Sequence, residues 1–283
     1  MGQSEKEVYE VNTFGKAIFW IITLFVLFII VAPLAWIYLT AFKSPNDIFT
    51  TDVKKLIFFQ FTSENFQRLF REFPFWPNFV NTIVISAAST LVVLAISALA
   101  AYSFARWNTG RGHLLFTTIS TRMFPGVVAA IPFFVLYRNL GLLDTRFGLA
   151  LLHIYFNTSF ATFLLYGFFK EIPEELEQAA MIDGYSRVDI FRKIVMPLVR
   201  PGLAVTAVFC LVWSWNEFLF SFLFTRVAAR PVTVLISSFW GSIEVQYGPM
   251  AAGAAIAILP TLVIAWFMQR YIIRGLTFGA VKG

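Results

Sequence analysis

Six apolar runs, near residues 17–42, 79–104, 114–137, 147–169, 202–225 and 250–273, account for most of this 283-residue chain. Each meets the roughly 20 residues a helix needs to cross about 30 Å of hydrocarbon. In lipid a segment must satisfy its own backbone N–H and C=O groups, which a helix does and an open strand does not. The pattern therefore predicts an all-α polytopic membrane protein with six spans, read as one domain over residues 1–283, with no internal repeat or interdomain linker. Charged residues make up 13% of the chain, against about a quarter in soluble domains. The first run is too long for the 7–15-residue core of a signal peptide and reads as a retained span.

Several function classes are poorly served by this composition. The formal net charge is +6, but the basic residues are scattered between apolar runs rather than gathered into a nucleic-acid-binding stripe. Cys210 is the single cysteine, and His113 and His153 have no spacing that suggests a metal or a catalytic pair. Asn157-Thr158-Ser159 matches a glycosylation sequon but falls inside an apolar run. No GxxxxGK[ST] phosphate loop occurs, and no nucleophile–base constellation is visible. A chain of this kind reads as a non-enzyme with no cofactor of its own.

An even number of spans puts both termini on one side. Placing that side in the cytoplasm leaves twelve Lys and Arg inside and nine outside, the direction the positive-inside rule favours. The outer loop at 43–78 then carries Phe73-Pro-Phe-Trp-Pro77, readable as a membrane-interface anchor or as an amphipathic lid. A second outer loop, 226–249, carries Trp240, Gly241, Glu244, Gln246 and Tyr247. Pro33, Pro125, Pro132 and Pro260 lie inside spans, as ordinary kinks or as bends around a water-filled path.

Two charges interrupt apolar runs: Arg122 in STRMFPG and Glu217 in WSWNEFLF. Each would cost about 2.5–3.5 kcal/mol at the centre of a lipid-embedded helix, which predicts that they face the bundle interior or water, pair with each other, or reach an interface. Asn157, Asn216, Trp213 and Trp215 add hydrogen-bonding and flat aromatic surface to the same spans. Sugars are held by such groups, since a sugar ring has hydroxyls at its edge and C–H bonds on its face. Arg122, Asn157, Trp213, Asn216 and Glu217 are the candidate substrate path, with lipid-facing packing the alternative for the tryptophans.

The one markedly polar stretch is the loop at 170–201, within which residues 177–197 read EQAAMIDGYSRVDIFRKIVMP. Pro173 suits the first position of a helix, and Glu174, Glu175 and Glu177 set negative charge against its positive end. Gly184 is placed to end that helix in a left-handed turn. Ser186 with Asp189 forms a capping pair for a second helix, which Pro197 is expected to end. Ala179 and Ala180 are expected to leave one helix face bare for another protein's backbone.

This segment resembles the EAA loop by which ABC-importer permeases dock their ATPase: Glu-Ala-Ala, three residues, Gly, nine residues, then Ile-x-Leu-Pro. Ala179, Ala180, Gly184, Ile194 and Pro197 fall in register, while Gln178 stands where Glu is usual and Met196 where Leu is. The docking set is thus Glu177, Gln178, Ala179, Ala180, Asp183, Gly184, Ile194 and Pro197. Phe42-Lys-Ser-Pro-Asn-Asp-Ile-Phe49, Asn81-Thr82, the Met123-Phe-Pro125 turn, Leu140-Gly-Leu-Leu-Asp-Thr145, Trp213-Ser-Trp-Asn-Glu-Phe218 and the terminal Gly-Ala-Val-Lys-Gly283 extend the likeness. They are similar to the smaller, six-span permease of carbohydrate-uptake ABC importers, of which the maltose importer is the familiar case.

The resemblance implies a type I importer permease in a bacterial or archaeal cytoplasmic membrane. It implies a heterodimer with a second homologous permease, two copies of a cytoplasmic ABC ATPase that bind ATP and Mg, and an extracytoplasmic solute-binding protein. Its cargo would be a sugar, polyol or small glycoside. The alternative is an ion-coupled secondary transporter using Arg122 and Glu217 as a titrating pair; such folds usually carry internal repeats, and none is evident.

Overall fold

The computed structural model describes residues 13–123, 125–241 and 245–278. Phe124, Glu244 and the terminal motif at 279–283 lie outside the described residues. The chain opens with α1 (Thr13–Ala41), followed by the short helices α2 (Pro45–Ile48), α3 (Val53–Ile57) and α4 (Glu64–Glu72). Next come α5 (Phe75–Trp107), α6 (His113–Ser120), α7 (Gly126–Asn139) and α8 (Arg146–Glu171). A hairpin of α9 (Glu174–Ile182), α10 (Arg187–Asp189) and α11 (Met196–Leu198) leads into α12 (Arg200–Asn216). The chain ends with α13 (Leu219–Phe224), α14 (Val232–Ser238) and α15 (Tyr247–Phe278).

Four of these, α1, α5, α8 and α15, are single helices long and apolar enough to span a bilayer, and the number reaches six only when each of two bent helix pairs is counted as one span. One pair joins Thr109–Met123 to Gly126–Asn139 across a 93° bend; the other joins Arg187–Leu198 to Arg200–Asn216 across 72°. The runs expected at 114–137 and 202–225 are therefore not continuous helices. In the first, Pro125 is extended at the break (φ −57°, ψ 125°) and has no N–H to offer a helix. In the second, α12 stops at Asn216 and Glu217 turns extended (ψ 123°) before α13.

The bundle is built on α5 and α8, which pack along each other, with α12 against both. Small residues allow the close approach: Ala98, Ala101 and Ala105 of α5 are buried against Leu165 and Phe169 of α8, the small-residue packing usual between membrane helices. Helix α1 packs chiefly against α15. No residue in the apolar stretch of α1 is buried within the chain.

At the Phe75 end of α5, polar groups lock the loops together. The Asp144 carboxylate accepts hydrogen bonds from the N–H groups of Arg226, Val227, Ala228 and Ala229 at 2.9–3.2 Å. Burial alone would push its pKa up, but the four amides outweigh it and hold the carboxyl below the usual range. Asn81 donates to the carbonyls of Ala228 and Arg230 and accepts from Arg146 Nε at 2.7 Å. The aromatic cluster at 73–77 is part of this end's packing rather than a simple interface anchor. Phe75 is 1% exposed and Phe73 stacks edge-on against Phe239 at 4.6 Å, leaving Trp76 exposed.

Candidate functional site

The five residues expected to line a path come together. Arg122, Asn157, Trp213, Asn216 and Glu217 line one cleft of about 540 Å³, together with Phe160, Phe209, Val212, Phe218 and Leu219. The two helix breaks create it. Arg122 sits in the single 3₁₀ turn Thr121–Met123 before the first bend, and Glu217 sits in the gap between α12 and α13. Both charges thus avoid the middle of a continuous apolar helix.

Arg122 and Glu217 do not pair. Arg122 Nε donates to the Phe156 carbonyl at 3.0 Å and Nη2 to Asn157 Oδ1 at 3.2 Å. Its guanidinium lies over the rings of Trp213 (5.2 Å) and Phe160 (5.6 Å), a cation–π arrangement that partly replaces lost hydration. Asn157 then donates to Ser214 Oγ at 3.1 Å, and Ser214 shares a hydrogen bond with Ser89 of α5 at 3.2 Å. A polar chain therefore crosses from the first helix break through α8 and α12 to α5. Ser214 lies within the Trp213-Ser-Trp-Asn-Glu-Phe218 segment, whereas Ser89 carries no motif, although Ser86, Ser89 and Thr90 on an otherwise apolar helix signal a polar face.

Glu217 is spent differently. Its carboxylate accepts from the backbone N–H of Phe220 (2.8 Å) and of Ser221 (2.9 Å), and from Ser221 Oγ (2.9 Å). Those are donors that the start of α13 would otherwise leave open. His153, unremarkable in the sequence, is 1% exposed with neither ring nitrogen hydrogen-bonded, and its Nε2 lies 3.6 Å from Glu217 Oε2. No cluster able to hold a metal ion occurs among the described residues. Trp215 leaves the cleft's edge: it is buried and donates to the Ala257 carbonyl at 3.1 Å.

The polar hairpin forms a second site at the far end of α5. Pro173 immediately precedes α9, whose first turn carries Glu174, Glu175 and Glu177. Gly184 has φ 83°, and the bonds Gly184 N–H to Met181 O (3.1 Å) and Tyr185 N–H to Ala180 O (3.0 Å) make a Schellman stop. Ser186 Oγ accepts from the Asp189 N–H at 3.2 Å, capping the second helix.

Three details of the hairpin differ from expectation. Glu177 turns inward, accepting from Tyr102 Oη at 2.6 Å and from Arg106 Nε at 2.5 Å. Ala180, three residues on and on the same face, is buried in the core with Tyr102 and Phe169. Neither therefore offers itself to another protein, whereas Gln178, Ala179, Asp183 and Gly184 are exposed. Pro197 does not end the second helix: a π turn over Ile190–Val195 runs into α11, and the bend follows Leu198. Pro197 falls in the first turn of α11, where a missing N–H is tolerated. Ile194 is half-buried against the same core. Tyr102 and Arg106, one turn apart near the end of α5, carry no motif that marks them in the sequence.

Comparison with known proteins bears on the family and fold of the chain. A family profile described as "Binding-protein-dependent transport system inner membrane component" matches residues 94–277. The chain is 36% identical over 255 residues to the trehalose transport system permease protein SugB of Mycobacterium tuberculosis, covering 89% of this chain and 92% of that one. It is 34% identical over 265 residues to the probable ABC transporter permease protein y4oR of Sinorhizobium fredii, covering 94% of each. Among solved structures, a chain of a bacterial ABC transporter involved in import of the acidic polysaccharide alginate superposes with a TM-score of 0.79. That match is 23% identical and covers 93% of this chain and 99% of the other.

Proposed function

The chain belongs to the family of binding-protein-dependent transport system inner membrane components, a membrane permease subunit of an ABC importer, and from that premise we propose that its cleft forms part of the path for a sugar, polyol or small glycoside. The observation that carries the cargo class is the meeting of Arg122, Asn157, Trp213, Asn216 and Glu217 around one cleft. Donors, amides and an indole face are the groups a polyhydroxylated ring needs. The relative named for trehalose transport supports the same class.

In this reading both termini and the hairpin at 170–201 lie in the cytoplasm of a bacterial or archaeal cell, and the exposed residues Gln178, Ala179, Asp183 and Gly184 meet an ATPase. The chain pairs with a second homologous permease and two ATPase copies, which bind ATP and Mg. A solute-binding protein delivers cargo on the other side. Closure of the ATPases draws the hairpins together, the spans rock outward to accept solute, and hydrolysis resets the inward state.

The test is uptake into membrane vesicles carrying the complete complex and its binding protein, with a panel of labelled disaccharides, polyols and glycosides. ATP-dependent uptake of at least one is expected, unaffected by collapse of ion gradients. Uptake that follows an ion gradient without ATP would overturn the proposal.

A further inference from the structure

We propose that Arg106, assisted by Tyr102, is the positioning residue that makes α5 the lever between the hairpin and the cleft. The inference rests on the hairpin being the ATPase-docking element. Both covalent routes out of the hairpin are broken. Toward α8 the chain passes through the extended residues Ile172 (ψ 121°) and Pro173 (ψ 132°). Toward α12 it passes through a π turn and the 72° bend. A push on the hairpin would be absorbed at these joints unless side chains carried it across.

Beside the apolar cluster that Ala180, Ile190 and Val195 share with Leu165 and Phe169 of α8, the polar and cation–ring ties of the hairpin converge on the last turn and a half of α5. Arg106 holds Glu177 through Nε and, through Nη2, the Ile172 carbonyl at 2.9 Å, so one guanidinium clamps both the hairpin and its joint. The Arg106 and Glu177 side chains are only 5% and 11% exposed, where an ion pair is little screened. Tyr102 bonds Glu177 and packs its ring on Phe191 of the π turn at 4.9 Å. Arg187 lies over the Trp107 ring at 5.7 Å. From there α5 runs as one helix to Phe75 and carries Ser89, which reaches Arg122 through Ser214 and Asn157. The contacts between hairpin and cleft are thus contiguous along α5, a network of the kind through which two sites can be coupled.

The experiment uses the complete transporter in proteoliposomes, with the binding protein and a solute it carries. It compares Arg106→Glu, Glu177→Arg, the double exchange, and the milder Arg106→Lys and Tyr102→Phe. Three quantities are read: ATPase retained in a pull-down, ATP hydrolysed, and solute moved per ATP. Each single reversal should keep the ATPase bound yet lower solute moved per ATP by about fivefold or more, within the range by which coupling positions act. The double exchange should restore most of it. Should the reversals fail to assemble, Arg106→Lys and Tyr102→Phe should still lower solute per ATP, with ATPase retention intact. Unchanged solute per ATP in the assembled variants, or loss of ATPase retention in them, overturns the proposal. The docking reading fails separately, if Ala179→Asp on the exposed face binds ATPase and transports as wild type does.

Discussion

Glu177 and Glu217 are both buried carboxylates in a chain with few charges, and they are satisfied in opposite ways. Glu177 is held by side chains from a distant helix, one of them a full cation. Glu217 is held by backbone amides and a hydroxyl three and four residues along its own chain. The first arrangement ties two separate elements together; the second stitches a break in one span. Burial alone therefore does not say what an acidic residue in a membrane protein is for: the partner's identity and its distance along the chain do.

This contrast is open to direct attack by the conservative amide substitutions. Glu177→Gln leaves Arg106 as a buried, uncompensated cation, and breaking such a pair costs about 3–5 kcal/mol. Glu217→Gln keeps one acceptor oxygen and strands no full charge among its hydrogen-bond partners, for about 1–3 kcal/mol. Thermal unfolding of the purified complex in detergent should accordingly show a larger fall for Glu177→Gln. Equal falls, or the reverse order, would erase the distinction between the two sites.

Arg122→Ala sharpens the comparison from the cleft side. Losing two hydrogen bonds and the stacking on Trp213 should cut solute uptake about tenfold, equivalent to about 1.4 kcal/mol. ATPase retention in a pull-down should be unchanged, because no hairpin contact is touched. Unchanged uptake kinetics would make Arg122 a structural pin for the helix break.

Gly184→Ala probes the hairpin without touching Glu177. A Cβ there would meet nothing within the chain, but φ 83° costs a non-glycine residue about 1–2 kcal/mol. The permease should insert and pair normally while solute-stimulated ATP hydrolysis falls severalfold, and Gly184→Val should fall further. Normal hydrolysis in both would separate the turn from coupling. The smallest effect is expected of Gln178→Glu, which restores the residue usual in the motif at an exposed position; a complex that loses activity on this change would contradict the assignment of the docking face.

Much of this was readable in advance because it depends on local chemistry. Apolar runs of sufficient length declared helices able to cross a membrane, four of them unbroken, since a helix is the conformation that closes its own hydrogen bonds in lipid. The Gly184 stop and the Ser186 cap followed from residues within three or four positions of one another. Polar and aromatic residues set into apolar runs marked the five groups that line the cleft, because each needs company away from lipid.

What the linear pattern did not reveal depends on which residues meet. Ala179 and Ala180 are alike in sequence, yet the rotation of α9 about its axis buries one and exposes the other. Glu177 looked like part of a docking surface until α5 brought Arg106 and Tyr102 to it from 71 and 75 positions away. Arg122 and Glu217, the two charges that seemed made for each other, found carbonyls, rings and amides instead. Local chemistry set where helices could form, how they are capped and which groups need polar shelter. The pairings follow from packing, because a buried charge takes whichever partner separate helices bring within reach.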